Sequence, residues 1–473
     1  MASHRWFAPI STLLITALAA IIRIANLANP RLLVFDETYY VKDAYTLGLF
    51  GSERNWQDNP NPDFESGILS GYLEGAAYVV HPPFGKWIIW SGLELFGADS
   101  SFGWRIATAV LGVLMVPLVI LIARRLIGSN FFAAIAGLFM ALEGLSITLA
   151  RTAILDSNLA FFALLGFYFI LLDTQAWSSR LQKTKSSALR FRPWLLLAGI
   201  SLGLATGIKW SGLYFLAVFG LYTFVVDLWQ RGRIGLPKIL AVGQGALNAI
   251  TLLVPALVSY LVTWLGWILG SNGWGRNAKA TWYESLWAYH VNAYSFHTGL
   301  DSPHPYQSNA FGWLISLRPT AFFFERYEAD SACGLLSNCT VALTAIPNLV
   351  VWIGGVMAII WMALQLRHKF DPAALAIISG FLAGWLPWVF FLNRTAFQFY
   401  AVAYAPYLAI ALAFALHAYW RKGVARKLRS RNGAIALVVF ATVFVAIYFM
   451  SIWTALPVPH LMWQLQMLFP FWV

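Results

Sequence analysis

Long apolar stretches recur along this chain, and their lengths constrain the fold more than any other feature of the sequence. An α-helix needs roughly 20 apolar residues to cross the hydrocarbon core of a membrane. Only 11% of the residues are charged, whereas soluble proteins carry about 25%. The sequence therefore predicts an all-α, polytopic protein that forms a single integral membrane domain over residues 1–473. The eleven predicted spans are approximately residues 7–28, 103–127, 131–149, 152–173, 194–209, 212–229, 248–270, 345–366, 372–392, 396–419 and 433–455.

Basic residues are concentrated in every second connection between these spans. If the N-terminus is cytoplasmic, the connections on its side hold 19 of the 32 Lys and Arg residues and only three acidic residues. Cytoplasmic loops of membrane proteins carry such an excess of Lys and Arg. The pattern predicts a cytoplasmic N-terminus and an extracytoplasmic C-terminus. It also excludes a nucleic-acid partner, because topology accounts for the net charge of +12.

Two connections are much longer than the others, and both lie on the extracytoplasmic side in this topology. The first covers about residues 29–102 and the second about residues 271–344. The segment 76–97 of the first loop is apolar enough to span the membrane, but a twelfth span would reverse the side of every later basic cluster. We therefore expect a helix over residues 84–96 that lies on or dips into the outer face of the membrane.

The second long loop contains an aromatic segment, residues 281–297 (TWYESLWAYHVNAYSFH). The ring-bearing residues that recur there at helical spacing are Tyr283, Trp287, His290 and Tyr294. Such a stripe predicts an interfacial helix that is anchored by its rings. It also fits a platform of flat rings for a sugar or a peptide, and the two interpretations are compatible.

The same loop holds the only two cysteines of the chain, Cys333 and Cys339. Two cysteines six residues apart can close a small disulfide outside the cytoplasm. The sequence favours this disulfide, and two unpaired thiols are the alternative.

Two adjacent carboxylates, Asp36 and Glu37, follow the first span within an apolar and aromatic run. Ionisable residues at unexpected places in a membrane protein often mark functional sites. A single ionisable residue at the end of a span can be explained as a snorkelling side chain or as one partner of an ion pair. The acidic pair can be explained by helix capping. Together, cations that hold phosphate and a carboxylate that accepts a proton predict a site for a phosphate-bearing ligand. The other ionisable residues at the outer ends of the predicted spans are Arg105, Arg151, Asp156, Lys209 and Arg394.

Six motifs in a fixed order resemble those of the protein O-mannosyltransferase family. They are FDETYY, HPPFGK, FGWRIATAVLG, ARTAILDSNLAFF, GLATGIKWSGLY and NRTAFQFYAVAYAP, and the resemblance runs from about residue 7 to residue 455. The chain looks most like the bacterial, actinobacterial-type branch. It departs from the fungal and animal enzymes because its second long loop is too short for their lumenal β-trefoil insert, so roles tied to that insert do not carry over.

This resemblance implies a glycosyltransferase C fold and an enzyme that acts at the outer face of the plasma membrane. The implied donor is polyprenyl-phosphate mannose, and the implied acceptor is a Ser or Thr hydroxyl of a secreted protein. The implied reaction is a mannosyl transfer with inversion at the sugar carbon, without a cofactor or a catalytic metal. An association with the secretion channel is left open.

Roles for individual residues combine these motifs with the chemistry of the transfer. The family motif puts Asp36 in the role of catalytic base, and Glu37 would orient the acceptor or tune its neighbour. The expected donor-phosphate cations are Arg105 first, then Lys209 and Arg394. Further candidates for contact with the donor or the acceptor are His81, Asp156, Trp210, Tyr400, Trp287 and His290.

Three other functions are compatible with parts of the sequence. A polyprenyl-phosphate-sugar transferase that acts on a lipid or cell-wall glycan would use the same acidic pair and cations. A lipid-linked sugar flippase or transporter would place polar residues near the bilayer midplane, whereas here they collect at one face. A metal site built from the outer histidines matches no familiar ligand spacing; these residues are His81, His290, His297 and His304.

Overall fold

The computed structural model of the protein describes residues 6–185, 188–328, 338–422 and 428–472. It is mostly helical, as predicted. In chain order the α-helices are α1 (Phe7–Ile24), α2 (Glu37–Phe50), α3 (Asn61–Glu65), α4 (Phe84–Phe96), α5 (Ser101–Ile127), α6 (Asn130–Ala141), α7 (Gly144–Ala150), α8 (Leu155–Thr184), α9 (Pro193–Thr206), α10 (Gly212–Arg233), α11 (Leu240–Thr263), α12 (Leu265–Leu269), α13 (Trp282–Gly299), α14 (Ala310–Leu314), α15 (Leu349–Leu366), α16 (Pro372–Trp385), α17 (Ala405–Arg421), α18 (Leu428–Thr454) and α19 (His460–Gln466). The strands are β1 (Arg54–Trp56), β2 (Tyr72–Ala76), β3 (Ala321–Tyr327), β4 (Cys339–Thr344) and β5 (Val458–Pro459).

Eight helices in the described part of the chain are long and apolar enough to cross a membrane. A ninth span is formed if α6 and α7, which meet at an angle of 58°, cross together. At the positions of the two other predicted spans lie α9 and α17, with 14 and 17 residues. A helix of 14 residues extends for about 21 Å, less than the ~30 Å hydrocarbon core. The polytopic helical fold is confirmed, and the count of eleven spans stays a prediction.

The ends of several helices differ from the predicted spans. α8 continues to Thr184 rather than ending near residue 173, and α11 begins at Leu240 rather than near residue 248. At the predicted end, Asp173 is buried in an ion pair with Arg192, and in the added turns the Trp177 Nε1 donates a hydrogen bond to Asp227 Oδ1 at 2.5 Å. Hydropathy marks where apolar residues stop, whereas a helix continues as long as its polar residues find partners. Composition therefore placed the end of α8 and the start of α11 too far inside the helix.

Two small sheets were not predicted from the sequence. β1 and β2 pair in the first long loop, and β3, β4 and β5 form an antiparallel sheet in that order. Strands of two to seven residues leave no periodic pattern that is long enough to recognise. β4 begins at Cys339, which is buried. Its predicted partner Cys333 lies outside the described residues, so the disulfide stays a prediction.

The helix expected over residues 84–96 is present as α4, with the same bounds. α4 packs closely on the start of α5, because a Cβ on Gly92 would lie only 2.4 Å from the carbonyl oxygen of Gly103. Lys86 of α4 is buried in an ion pair with Glu53, which precedes β1. These contacts hold the HPPFGK segment against α2 and the bundle.

The aromatic segment of the second long loop forms α13, as expected, but its stripe of rings divides between two environments. Tyr283 and Trp287 are exposed. His290 turns inward, and its ring stacks on Trp210 with 5.6 Å between the centroids. The exposed rings are suited to an interfacial anchor, whereas His290 belongs to the interior.

The bundle has a buried centre and apolar outer faces. In the most apolar windows of α5 and α8, 67% of the residues are buried, against 11% for α1 and 28% for α11 and α18. Peripheral helices with exposed apolar faces are expected where lipid rather than water surrounds the protein. The N-terminal ends of α5, α8 and α10 carry or adjoin the predicted site residues.

Candidate active site

The two adjacent carboxylates of the FDETYY motif lie in different environments. Glu37 is the first residue of α2 and is fully buried. Its Oε1 accepts hydrogen bonds from Arg105 Nε (2.8 Å) and from the backbone N–H of Ala153 (2.7 Å). Its Oε2 accepts from Arg105 Nη2 (2.8 Å) and from the backbone N–H of Val34 (3.0 Å). A carboxylate has about four acceptor positions, and those of Glu37 are used within the fold.

Arg105 is equally saturated, which corrects its predicted role as the first of the phosphate-binding cations. Besides the two bonds to Glu37, its Nη1 donates to the carbonyls of Leu27 and Pro30, and its Nη2 donates to that of Leu32. A guanidinium has five N–H donors, and all five are engaged. The side chain is also fully buried. Arg105 and Glu37 therefore hold the segment between α1 and α2 in place. Because the acceptor positions of Glu37 are used within the fold, its predicted contact with the acceptor is corrected, whereas its other predicted role, tuning Asp36, stays a prediction.

Asp36 precedes this anchored pair and lines a large open groove of about 1620 Å³, which we call the acid groove. The Tyr40 hydroxyl, one turn along α2, donates a hydrogen bond to Asp36 Oδ2 at 3.4 Å. Burial raises the pKa of the Asp36 carboxyl to about 6, with a smaller rise from Asp156, and Lys209 and the Tyr40 hydrogen bond oppose it. A carboxylate whose pKa lies near the working pH is suited to accept a proton as a general base.

A second cavity of about 930 Å³ lies beside the acid groove and is lined by Lys209 and Arg394; we call it the cation cavity. Lys209 lies between α9 and α10, and its Nζ donates to Asp156 Oδ2, in the first turn of α8, at 2.6 Å. The same Nζ lies 5.0 Å from the centroid of the Tyr400 ring. Because Asp156 balances the charge of Lys209, the net positive charge of the cavity comes from Arg394.

Arg394 is held in place by α13, and its Nη1 nitrogen has no hydrogen-bond partner among the described residues. Its Nε donates to the His297 carbonyl at 2.8 Å, and its Nη2 lies 3.3 Å from His297 Nδ1. The guanidinium lies 5.5 Å from the centroid of the Trp388 ring. Its Nη1 is buried and has no hydrogen-bond partner among the residues that the structure describes. A buried N–H without a partner is unfavourable, so this atom is suited to an anionic oxygen of a ligand.

The acid groove and the cation cavity meet at a shared wall. A ligand at this wall would have the Asp36 carboxylate on one side and Lys209 on the other. The residues that line both cavities are His81, His297, Arg394 and Tyr400. Beyond the wall, the cation cavity is lined by apolar side chains, among them Leu159, Phe215, Trp388 and Phe391.

His81, from the HPPFGK motif, lies in the shared wall as a neutral imidazole. Its ring stacks on that of His297, with 5.1 Å between the centroids and 29° between the planes. Burial lowers the pKa of His81 well below its usual value, and the neighbouring Lys209 lowers it further. Burial likewise lowers the pKa of His297 to about 4. A neutral imidazole donates one hydrogen bond and accepts another, so His81 is suited to contact a hydroxyl or a phosphate oxygen.

The other predicted contact residues lie at different distances from the cavities. Trp210 lines the cation cavity, and its Nε1 donates to the Tyr260 hydroxyl at 3.2 Å. His290 lies behind Trp210, with its Nε2 2.5 Å from the same hydroxyl, so its predicted ligand contact is corrected to support of Trp210. Trp287 is 74% exposed and lines neither cavity. It lies on the outward side of α13, and its contact with the donor or the acceptor stays a prediction.

Several residues that line these cavities were not among the predicted donor or acceptor contacts. His297 follows His290 by seven residues on α13, and this spacing, which places both on one face of a helix, was the available signal. Tyr40 follows Asp36 by one helical turn, within reach of its carboxylate. Asp43 also lines the acid groove, and burial raises the pKa of its carboxyl to about 7. Nothing in the sequence distinguishes Asp43 from an acidic residue of a solvated helix face.

The outer histidines are distributed over separate contacts. His81 and His297 stack on each other, His290 is bonded to a tyrosine hydroxyl, and His304 packs against a phenylalanine ring. Within the described ranges, no group of three or more His, Cys, Asp or Glu residues is placed to hold a metal ion.

The sequence of this chain is similar to those of a known protein family. The model of the family described as dolichyl-phosphate-mannose-protein mannosyltransferase matches residues 13–269, more than half of the chain. The polyprenol-phosphate-mannose–protein mannosyltransferase of Mycolicibacterium smegmatis is 32% identical over 98% of this chain and 92% of its own length. The enzyme of the same name from Corynebacterium glutamicum is 30% identical over 93% of this chain and 88% of its own length.

Comparisons with solved structures identify the fold. The protein O-mannosyltransferase Pmt1-Pmt2 complex of S. cerevisiae, bound to the sugar donor, gives a TM-score of 0.78 at 14% identity, over 100% of this chain and 93% of that chain. ArnT from Cupriavidus metallidurans, bound to undecaprenyl phosphate, gives 0.53 at 18% identity, over 92% and 69%. At these identities the likeness shows the fold alone, which is the glycosyltransferase C fold that the motifs imply. On the family match and the full-length similarity, this chain belongs to the dolichyl-phosphate-mannose-protein mannosyltransferase family.

Proposed function

We propose that this protein transfers mannose from polyprenyl-phosphate mannose to a Ser or Thr hydroxyl of a secreted protein, with inversion at the sugar carbon. The observation that carries the proposal is the pair of cavities that share one wall. One cavity presents the Asp36 carboxylate, the other presents Lys209, and Arg394 lies in the wall between them. The names of the related bacterial enzymes supply the donor and the protein acceptor.

The acceptor hydroxyl would lie in the acid groove, where Asp36 takes its proton as the oxygen attacks the anomeric carbon. The new carbon–oxygen bond forms as the bond between that carbon and the phosphate oxygen breaks, and the electron pair leaves with the polyprenyl phosphate. The proton ends on Asp36. Attack from the acid groove and departure into the cation cavity occur on opposite sides of the sugar, which gives inversion.

The leaving group is a lipid phosphate that is already an anion, so the step requires positive charge rather than a general acid. The unpartnered Nη1 of Arg394 would bind a phosphate oxygen, and Lys209 adds a second cation close by. The apolar lining of the cation cavity would receive the first isoprene units of the donor. His81 and Tyr400, in the shared wall, would contact the sugar.

The location of the protein is also a proposal. The basic connections support a plasma-membrane protein whose N-terminus is cytoplasmic and whose C-terminus and active site are extracytoplasmic. An acceptor that is still being exported would place the enzyme beside the secretion channel. A tag inserted after Lys185 should be reachable from the cytoplasm, and a tag near residue 300 should not. The reverse pattern would place the donor site on the wrong side of the membrane.

A direct assay tests the activity. Membranes that contain the protein receive radiolabelled polyprenyl-phosphate mannose and a peptide rich in Ser and Thr, with an Ala-substituted peptide as the control. We expect label on the first peptide and none on the second. Label that appears instead in the lipid or glycan fraction would replace the protein acceptor with the alternative acceptor class, and an absence of transfer to any fraction would contradict the proposal.

A further inference from the structure

A third cavity, of about 1290 Å³, is built from the other ends of the helices that carry the candidate active site; we call it the distal cavity. α5 begins near Arg105 and reaches the distal cavity with Arg125. α10 begins just after Lys209 and reaches it with Arg233. The 27 residues of α5 extend for about 40 Å, more than the ~30 Å hydrocarbon core. The distal cavity therefore lies on the opposite face of the membrane, at the level of the lipid headgroups.

The distal cavity has a net positive charge. Arg125 Nη1 donates to Gln175 Oε1 at 2.7 Å, and the Arg233 guanidinium lies 4.9 Å from the centroid of the Trp229 ring. Neither arginine forms an ion pair with a carboxylate in the described part of the chain. The acidic residue in its lining, Asp371, accepts the backbone N–H that starts α16 at 2.9 Å. Two arginines thus remain available for an anion.

A hydrogen-bond acceptor without a partner lies in the same lining. Gln230 donates its Nε2 to Ser178 Oγ, and this hydroxyl donates to the Thr174 carbonyl. The Oε1 of Gln230 is buried, and no described residue donates to it. An amide oxygen only accepts, and buried polar atoms normally have partners. A ligand that fits here would bring hydroxyl groups as well as negative charge.

We propose that the distal cavity binds the headgroup of an anionic phospholipid whose phosphate is esterified to a polyol, as in phosphatidylinositol. Arg125 and Arg233 bind the phosphate, because guanidinium groups match its geometry. A hydroxyl of the polyol donates to Gln230 Oε1. Leu126 and Leu171, which also line the cavity, contact the glycerol and the first methylenes of the lipid. A choline headgroup fits poorly, because it has no O–H to donate and its cation is repelled by the arginines.

Native mass spectrometry of the full-length protein in a nonionic detergent tests this site with short-chain phosphatidylinositol, phosphatidylcholine and inorganic phosphate. We expect phosphatidylinositol to bind, and the double variant Arg125→Gln/Arg233→Gln to bind it at least ~10-fold more weakly, since charge-assisted hydrogen bonds are lost. Both arginines are exposed, so the variant should fold, which its thermal unfolding checks. The matched control Arg180→Gln/Lys183→Gln removes the same charge from exposed positions outside the cavity and should bind like the wild type.

A second variant tests the polyol. Gln230→Ala should weaken the binding of phosphatidylinositol and leave that of phosphatidic acid, which has no polyol, unchanged. The site would be overturned if phosphatidylcholine bound as tightly as phosphatidylinositol. It would also be overturned if the arginine double variant bound phosphatidylinositol like the wild type, or if the matched control lost as much affinity as that variant. Displacement of the lipid by inorganic phosphate at the same concentration would overturn its assignment to a lipid.

Discussion

Arg105 donates two hydrogen bonds of 2.8 Å to Glu37 inside the fold, one to each carboxylate oxygen. The neighbouring residue Asp36 lines an open groove. Glu37 begins α2, so the ion pair fixes the start of this helix to α5. Asp36 directly precedes Glu37, and its backbone position is therefore fixed as well. Two carboxylates that look alike in the sequence thus have different surroundings, since Glu37 anchors the backbone and Asp36 lines the acid groove.

Glu37→Gln should destabilise the protein, whereas Asp36→Asn should not. The first substitution leaves the Arg105 charge buried without a counter-charge, which costs about 3–5 kcal/mol when one partner of a buried pair is removed. Thermal unfolding of both variants in the same detergent measures the difference. Equal unfolding temperatures for Glu37→Gln and the wild type would show that the pair is not an anchor.

Asp36→Asn should lower the rate of mannosyl transfer by about 10²–10⁴-fold, the usual contribution of a general base. The affinity for the donor should stay unchanged, because the donor phosphate is expected on the other side of the shared wall. Asp36→Glu should recover part of the rate, since it keeps the carboxylate but displaces it. Initial rates of peptide labelling and equilibrium donor binding separate the two effects. A rate in Asp36→Asn close to that of the wild type would remove Asp36 from the reaction.

Arg394→Gln should raise the KM for the donor by about 10- to 100-fold, because a charge-assisted hydrogen bond to phosphate contributes about 1.5–3 kcal/mol. Arg394→Lys should restore part of the affinity, as it returns the charge without the fork of N–H donors. Arg31→Gln, at an exposed position before α2, is the control for a general loss of positive charge. Donor saturation curves that coincide for Arg394→Gln and Arg31→Gln would contradict a specific phosphate contact.

The pH dependence of transfer should follow the Asp36 carboxyl, whose pKa burial raises to about 6. The ionised form accepts the proton and predominates above this pKa. kcat/KM for the peptide should therefore rise about tenfold per pH unit below 6 and level off above it. Tyr40→Phe removes a hydrogen bond that favours the carboxylate, so the midpoint should move to higher pH, whereas Tyr283→Phe on the exposed side of α13 should leave it in place. An unshifted midpoint in Tyr40→Phe would separate the profile from Asp36.

The order of the motifs was sufficient to predict the fold class, because the family pattern runs through most spans. The helix over residues 84–96 was also predictable, since the basic connections allowed no further span there. The small sheets were not, because strands as short as Val458–Pro459 pair with residues far away in the sequence. Long-range pairing of this kind depends on the whole fold rather than on any local pattern.

The site was predicted less completely than the fold. Arg105, Lys209 and Arg394 are each a cation at the end of a predicted span, and the sequence-based prediction placed Arg105 first. The structure separates them by their partners: Arg105 has all its donors engaged, Lys209 is paired with Asp156, and the Nη1 of Arg394 has no partner in the described part of the chain. Whether a cation has unused hydrogen-bond donors depends on how the side chains pack, which cannot be read from a single sequence.

The wall between the acid groove and the cation cavity also bears on the kinetics of the reaction. The lipid-linked donor would enter the cation cavity laterally from the bilayer, and the peptide would enter the acid groove from water. Either substrate could then bind or dissociate while the other is bound. Steady-state measurements should then fit a random-order mechanism. The spent carrier should compete with fresh donor and not with the peptide.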